Sequence, residues 1–254
     1  MRSLLSAFLM YSRIPVPQVE WKEENRRYSL GFFPLVGAVI GGVLLLWRYL
    51  CGAFGFGQFV FAVGAVVIPV LVTGGIHLDG FCDVTDARSS FADKAKRLEI
   101  LADPHIGSFA VIYLCLYLLA QTALFSELHT VKECIPAACG YVVSRGLSAV
   151  SAVCFKAAKK EGTLQSFVKP SHRTVTIAMA AAFAALAGAA AVAVSPMCGC
   201  ASLMAAGLAV LYCRAGAYGS FGGYTGDVCG WFLQICELWY LAAYAAALMI
   251  GRSV

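Results

Sequence analysis

The chain is 254 residues long, 60% hydrophobic and only 13% charged, with a net charge of +5. Water-soluble domains carry about 25% charged and roughly 45–50% apolar residues, so the composition excludes an ordinary soluble domain and indicates an integral membrane protein. The modest net charge gives no reason to expect a nucleic-acid partner. The eleven cysteines are odd in number, lie mostly in apolar runs and form no Cys-x-x-Cys pair. Cys198-Gly199-Cys200 is the one tight pair, and the cysteines are read as small packing residues, not as a disulfide framework.

In chain order, the short apolar run Met1–Tyr11 comes first. Arg13-Ile14-Pro15-Val16-Pro17 follows it where a cleaved leader would have small residues, so no cleaved signal is expected. A membrane-crossing helix needs about 20 apolar residues. Seven segments qualify: Leu30–Leu50, Gln58–Gly75, Ile106–Phe125, Ile135–Phe155, Val175–Val194, Ala201–Ala217 and Trp231–Ile250. The predicted fold class is all-α, a polytopic membrane helical bundle of about seven transmembrane helices (six to eight), with residues 1–254 forming a single membrane-embedded domain. Gly37-x-x-x-Gly41 is a small-residue spacing suited to close helix contact, but it is common by chance in glycine-rich spans.

The connections alternate in charge. Residues 1–29, 76–105 and 156–174 hold most of the basic side chains, whereas Cys51–Gly57 and Ser195–Cys200 hold none and Ser126–Cys134 holds Lys132. The positive-inside rule then places the N-terminus and the three basic connections in the cytoplasm, and the C-terminus outside. The Ala217–Gly230 connection falls on the cytoplasmic side as well. The connections richest in chemistry, Gly74–Pro104 and Gly219–Gly230, are therefore expected on one face.

Asp79, Asp83 and Asp86 are spaced i, i+4, i+7, which puts three carboxylates on one face of a helix. Like charges so placed repel unless a cation lies among them. Hard oxygen ligands favour Mg²⁺ shared with substrate phosphate. Zinc is disfavoured, because His77 stands alone and Cys82 has no second thiol. His77 is read either as a contact to phosphate or metal, or as a helix end. Gly75 and Gly80 allow close backbone approach by a phosphate-bearing ligand. Asp103 before Pro104 has the pattern of a helix N-cap with proline at the first helical position.

Further on, Gly219–Gly230 surrounds Thr225 and Asp227 with glycines. Such a loop cradles phosphate through backbone N–H groups, with Gly223, Thr225 and Gly226 as contacts and Asp227 as a metal ligand. Ionisable groups inside spans default to functional candidates. Arg145 is thus a candidate substrate contact, and an Arg145–Glu237 structural ion pair is the competing account. The basic stretch Phe155–Thr174 is read as positive-inside signal and lipid-headgroup contact before substrate site. Together these residues point to Mg²⁺-dependent chemistry on a phosphoryl group or pyrophosphate, which needs charge neutralisation and positioning more than a covalent nucleophile.

The stretch from Gly74 to Ala87, GGIHLDGFCDVTDA, resembles the signature of the cobalamin synthase family, the adenosylcobinamide-GDP ribazoletransferases. Ser12-Arg-Ile-Pro-Val-Pro17, Asp103-Pro-His-Ile-Gly107 and Gly222-Gly-Tyr-Thr-Gly-Asp227 resemble its other motifs in the same order, so the resemblance covers essentially the whole chain. It departs at Cys82, where a small or aliphatic residue is usual, and at Arg88, where glycine often follows the alanine. The resemblance implies transfer from adenosylcobinamide-GDP to α-ribazole or its 5′-phosphate, with GMP as leaving group. It also implies a cytoplasm-facing site in the bacterial inner membrane, with membrane lipid around it and self-association left open. Asp79, Asp83, Asp86 and Asp227 are then expected to hold Mg²⁺, and one of the aspartates (Asp79, Asp83) or His77 to take the proton. Two other classes stay open: another aspartate-motif membrane transferase (of CDP-alcohols or prenyl groups), and a transporter with Arg145 and Glu237 on its pathway.

Overall fold

The structure, a computed structural model, describes residues 1–253, and twelve helices occur among them. In order they are α1 (Arg2–Tyr11), α2 (Glu23–Arg26), α3 (Ser29–Ala53), α4 (Gln58–Thr73), α5 (Ile76–Ser89), α6 (Lys94–Ile100), α7 (Ser108–Ser126), α8 (Val131–Cys154), α9 (Thr163–Val168), α10 (Arg173–Val194), α11 (Pro196–Phe221) and α12 (Gly226–Ser253). No strand occurs among the described residues. Six helices (α3, α7, α8, α10, α11 and α12) are long and apolar enough to cross a membrane. The number is seven where the bent pair α4–α5 is counted as one broken span. The expected all-α polytopic bundle is therefore the observed one, and all eleven cysteines are free.

α8 is the most enclosed of the spans, while α7 and α10 leave most of their surface outward. The reason lies in its side chains. Gly140, Ser144, Gly146, Ser148, Ala149, Ser151 and Ala152 are small and buried, so α3 and α10 pack closely on it. At Gly37 a Cβ would overlap the Tyr141 carbonyl, and at Gly41 it would lie 2.8 Å from the Ala138 carbonyl oxygen. The Gly37-x-x-x-Gly41 spacing is thus the α3–α8 contact. α8 also starts with a capping box: Thr130 Oγ1 accepts the Glu133 N–H at 3.1 Å, and Glu133 Oε2 accepts the Thr130 N–H at 3.1 Å.

α4 and α5 meet at 96°. Gly74 (φ +68°) and Gly75 (φ +81°) are both left-handed, a conformation that side-chain-bearing residues resist, and together they make the bend. The segment after α1 holds it in place. The Arg13 N–H donates to the Val72 carbonyl at 2.7 Å, and the Arg13 side chain packs on Gly74 where a Cβ would stand. α5 therefore leaves the membrane-crossing direction of α4 and lies across the first turns of α12.

Candidate active site

α5 has two stripes. One carries Asp79, Asp83 and Asp86, of which Asp79 is exposed and the others half-buried. The other carries His77, Gly80, Val84 and Ala87, which are buried. Backbone meets backbone along this second stripe. A Cβ on Gly80 would lie 2.7 Å from the Asp227 carbonyl oxygen, and one on Gly230 would lie 3.0 Å from that of His77. The glycines at 80 and 230 let α5 and α12 touch, and that contact brings Asp79 and Asp83 of the first half of the chain beside Asp227 of the second.

The carboxylates sense one another. Asp83, on the helix that turns out of the membrane direction, has its carboxyl pushed up to about 7, first by burial and then by the charges of Asp79, Asp227 and Asp86. A bound cation would relieve that repulsion. No group of three or more acidic, histidine or cysteine side chains among the described residues is close enough to form a ready metal cage. The donor chemistry still fits Mg²⁺, which is typically held by one or two carboxylates together with substrate phosphate and water.

α12 begins where these carboxylates gather. Thr225 Oγ1 accepts the Val228 N–H at 3.2 Å, capping the helix, and donates to Asp227 Oδ2 at 3.3 Å. The loop that precedes α12 is zipped to the basic connection by a parallel bridge between Ala157 and Tyr224. The Tyr224 N–H donates to the Lys156 carbonyl at 2.9 Å, and the Ala158 N–H donates to the Tyr224 carbonyl at 2.8 Å. Gly223 permits this approach, since a Cβ there would lie 2.5 Å from the Lys156 carbonyl oxygen. Lys159 is thereby delivered to a cavity of about 170 Å³ that it lines with Thr225, Gly226 and Asp227. A second cavity, of about 140 Å³, lies on the other side of Asp227 and carries Asp79 on its wall. Thr163, Leu164, Gly226 and Asp227 line both. The connections at 76–105, 156–174 and 219–230 thus meet at one end of the bundle, as the alternation of the spans predicts.

The family model for cobalamin-5-phosphate synthase matches residues 3–245. A relative named adenosylcobinamide-GDP ribazoletransferase from Lachnoclostridium phytofermentans is 43% identical, over 94% of this chain and 91% of its own. A protein of the same name from Escherichia coli K12 is 31% identical over 96% and 99%, and one from Clostridium botulinum 30% over 93% and 94%. The chain belongs to the cobalamin-5-phosphate synthase family. No solved structure matches it.

Within this family member, several sequence expectations need correction. Asp86, expected as a metal ligand, is committed elsewhere: its Oδ2 accepts the Gly107 N–H at 2.6 Å and its Oδ1 the Ala110 N–H at 2.8 Å, so it caps α7 from a distance. Gly107 is small because a Cβ would press on that carboxylate. Asp103 is not the cap; it accepts the His105 N–H at 3.0 Å and pairs with the His105 ring at 2.6 Å. His77 sits on the packed stripe, 6% exposed, with its ring 5.6 Å from that of Phe33 and no hydrogen-bond partner for Nε2 among the described residues. Gly80 and Gly223, expected as phosphate contacts, are spacers for backbone approach, and Gly75 shapes the bend. Gly226, at the start of α12, has Thr163 Cβ 3.9 Å from where a Cβ would stand.

Arg145 is also reassigned. Its Nη1 lies 2.6 Å from Glu237 Oε1, with the two side chains 1% and 6% exposed. The ion-pair account therefore prevails over a substrate contact. Lys159, by contrast, belongs to a stretch assigned to topology and headgroups, and the structure brings it to Asp227.

Proposed function

We propose that the chain is an adenosylcobinamide-GDP ribazoletransferase. It joins adenosylcobinamide-GDP to α-ribazole, or to its 5′-phosphate, and releases GMP. One observation supports this reading above the others: in a member of this family, the α5–α12 contact sets Asp79 and Asp83 beside Asp227, next to Lys159 and the start of a helix. Carboxylates for a cation, a lysine and helical N–H groups for phosphate are what a pyrophosphate substrate requires.

The ribose 3′-hydroxyl attacks the phosphorus that bears the corrinoid aminopropanol arm. A new P–O bond forms, the P–O bond to the GMP leaving group breaks, and the hydroxyl proton passes to an aspartate. Asp79 suits that transfer, because it is exposed and lines the cavity that Asp227 also lines. Asp79, Asp83 and Asp227 would hold a divalent ion together with substrate phosphate, and Mg²⁺ bound there would supply charge neutralisation for the diphosphate. Lys159 and the first N–H groups of α12 orient the phosphates. The concentration of basic residues at this end supports a site at the cytoplasmic face of the bacterial inner membrane.

The test uses purified full-length protein in detergent or liposomes with adenosylcobinamide-GDP and α-ribazole. GMP release that requires a divalent ion is the expected result. Absence of GMP with Mg²⁺, Mn²⁺ and Co²⁺ overturns the reading and favours another aspartate-motif transferase. Lys159→Ala is expected to raise KM for adenosylcobinamide-GDP roughly 10- to 150-fold, reflecting one lost charge-assisted hydrogen bond of about 1.5–3 kcal/mol. An unchanged KM would return Lys159 to a purely topological role.

A further inference from the structure

We propose that the 140 Å³ cavity is the subsite for the aromatic base of the nucleoside acceptor, and that it selects bases with few polar edge atoms. This rests on the ribazoletransferase reading. The cavity lies between α1, α3, α5, α8, α9 and α12, and its walls are largely apolar. Tyr11, Phe33 and Phe167 form one side, with ring centroids 4.2 Å apart for Tyr11–Phe33 and 6.0 Å for Tyr11–Phe167. Leu30 and Leu233 add aliphatic surface, and Ala152 leaves the floor open. Leu30, Phe33, Phe167, Leu233 and Ala152 are themselves buried, whereas Ile76 and Asp79 are exposed, so the chamber reaches into the bundle from a mouth beside the carboxylates.

Its size and its neighbours decide what it takes. An apolar cavity of about 150 Å³ is large enough to bind benzene, so a chamber of 140 Å³ that opens toward the carboxylates suits a flat one- or two-ring base. The corrin macrocycle is far too large for it. Guanine is tied through its ribose to the diphosphate, which the reading above sets at Lys159 in the second chamber, and the polar groups His77, Ser148 and Thr163 on this chamber's wall are too few for all of its amide and amino edges. The adenine of the adenosyl group is attached to the corrin face and carries polar edges of its own, which leaves the base of the nucleoside as the flat ring system that fits. Across Asp227 lies the second chamber, of about 170 Å³, with Lys159 on its wall. A nucleoside whose base fills the apolar chamber therefore presents its ribose at the partition formed by Thr163, Gly226 and Asp227. That is where the reading above requires the 3′-hydroxyl, beside the carboxylates and facing the phosphates.

The experiment measures KM for a series of α-ribosides (of imidazole, benzimidazole, 5,6-dimethylbenzimidazole and adenine) with adenosylcobinamide-GDP held saturating. Each buried methyl is expected to lower KM about 4-fold, from about 0.8 kcal/mol per buried carbon group, and adenine is expected to bind more weakly than benzimidazole. Ala152→Leu, which fills the floor, is expected to raise KM for the larger bases at least tenfold while leaving KM for adenosylcobinamide-GDP unchanged. Product formed from every riboside with a flat KM, or an adenine riboside preferred to the benzimidazole one, overturns this subsite and leaves the transferase reading standing. No GMP from any riboside overturns both. The series on the unaltered protein decides the matter even where Ala152→Leu does not fold.

Discussion

Asp83→Asn is expected to lower turnover about 10³-fold, the scale on which charge stabilisation at a reacting phosphoryl group is lost, without weakening the fold. The two halves of that expectation have the same origin. Asp83 is half-buried on α5, and burial together with Asp79, Asp227 and Asp86 raises its carboxyl to about 7. An acid whose pKa is raised on folding binds more protons in the native state than in the unfolded state between its ordinary value and the raised one. Without a divalent ion, native stability therefore falls as pH rises through that window and reaches its full loss above about 7. Asparagine removes the charge responsible, so the metal-free variant should melt no lower than the unaltered protein at pH 8, and its melting temperature should lose the decline between pH 5 and 8. Catalysis moves the other way, because a cation needs the ionised carboxylate. Apparent affinity for Mg²⁺ should strengthen as pH rises from 6 to 8 in the unaltered protein and flatten in the variant. Near-normal turnover by Asp83→Asn would sink the metal assignment. A variant that is both inactive and unfolded would show that the carboxylate is structural.

The bundle itself was legible because apolar length and basic connections act locally. The spans run a few residues past their predicted ends where a recognisable stop was available. α11, expected over Ala201–Ala217, runs from Pro196 at its first position to Gly222 in the left-handed conformation after its last. α12 begins at Gly226, inside a glycine-rich stretch that reads as loop, because Thr225 caps it. The shared stripe of Asp79, Asp83 and Asp86 was legible for the same reason, since helical spacing is a local property. What these carboxylates meet is not. Asp86 reaches the start of α7 across 21 residues of sequence, which took the capping role that Asp103-Pro104 advertises. Lys159 looked like one more positive charge at a membrane edge. Its place beside Asp227 comes from a two-bond backbone bridge between distant loops, and backbone pairing of that kind leaves only a glycine, Gly223, as its trace in the sequence.

The largest stability effect is expected at Arg145. Its guanidinium is enclosed between the rings of Phe33, 5.8 Å away, and Tyr141, 5.5 Å away. Nη1 donates to Glu237 Oε1 at 2.6 Å, to the Tyr141 carbonyl at 3.0 Å and to Ser144 Oγ at 3.2 Å, and Ser144 Oγ lies 3.1 Å from the same Glu237 oxygen. The pair ties α8 to α12 in the middle of the bundle, where both side chains are buried. Arg145→Met should cost about 3–5 kcal/mol, because it strands the Glu237 carboxylate, whereas exchange of both partners for methionine should restore most of that loss. Thermal unfolding in detergent for the two single variants and the double variant forms the cycle that measures the coupling. The same cycle separates packing from chemistry. As a strut, the pair is dispensable once both charges are gone, so the double variant should keep GMP release and an unchanged KM for adenosylcobinamide-GDP. A stable double variant with no turnover would instead return Arg145 to the substrate. The mechanical account also predicts how the single variants fail: loss at α8–α12 loosens the start of α12 against α5, so Asp227 drifts from Asp79 and Asp83, and weaker Mg²⁺ activation should appear before the protein unfolds.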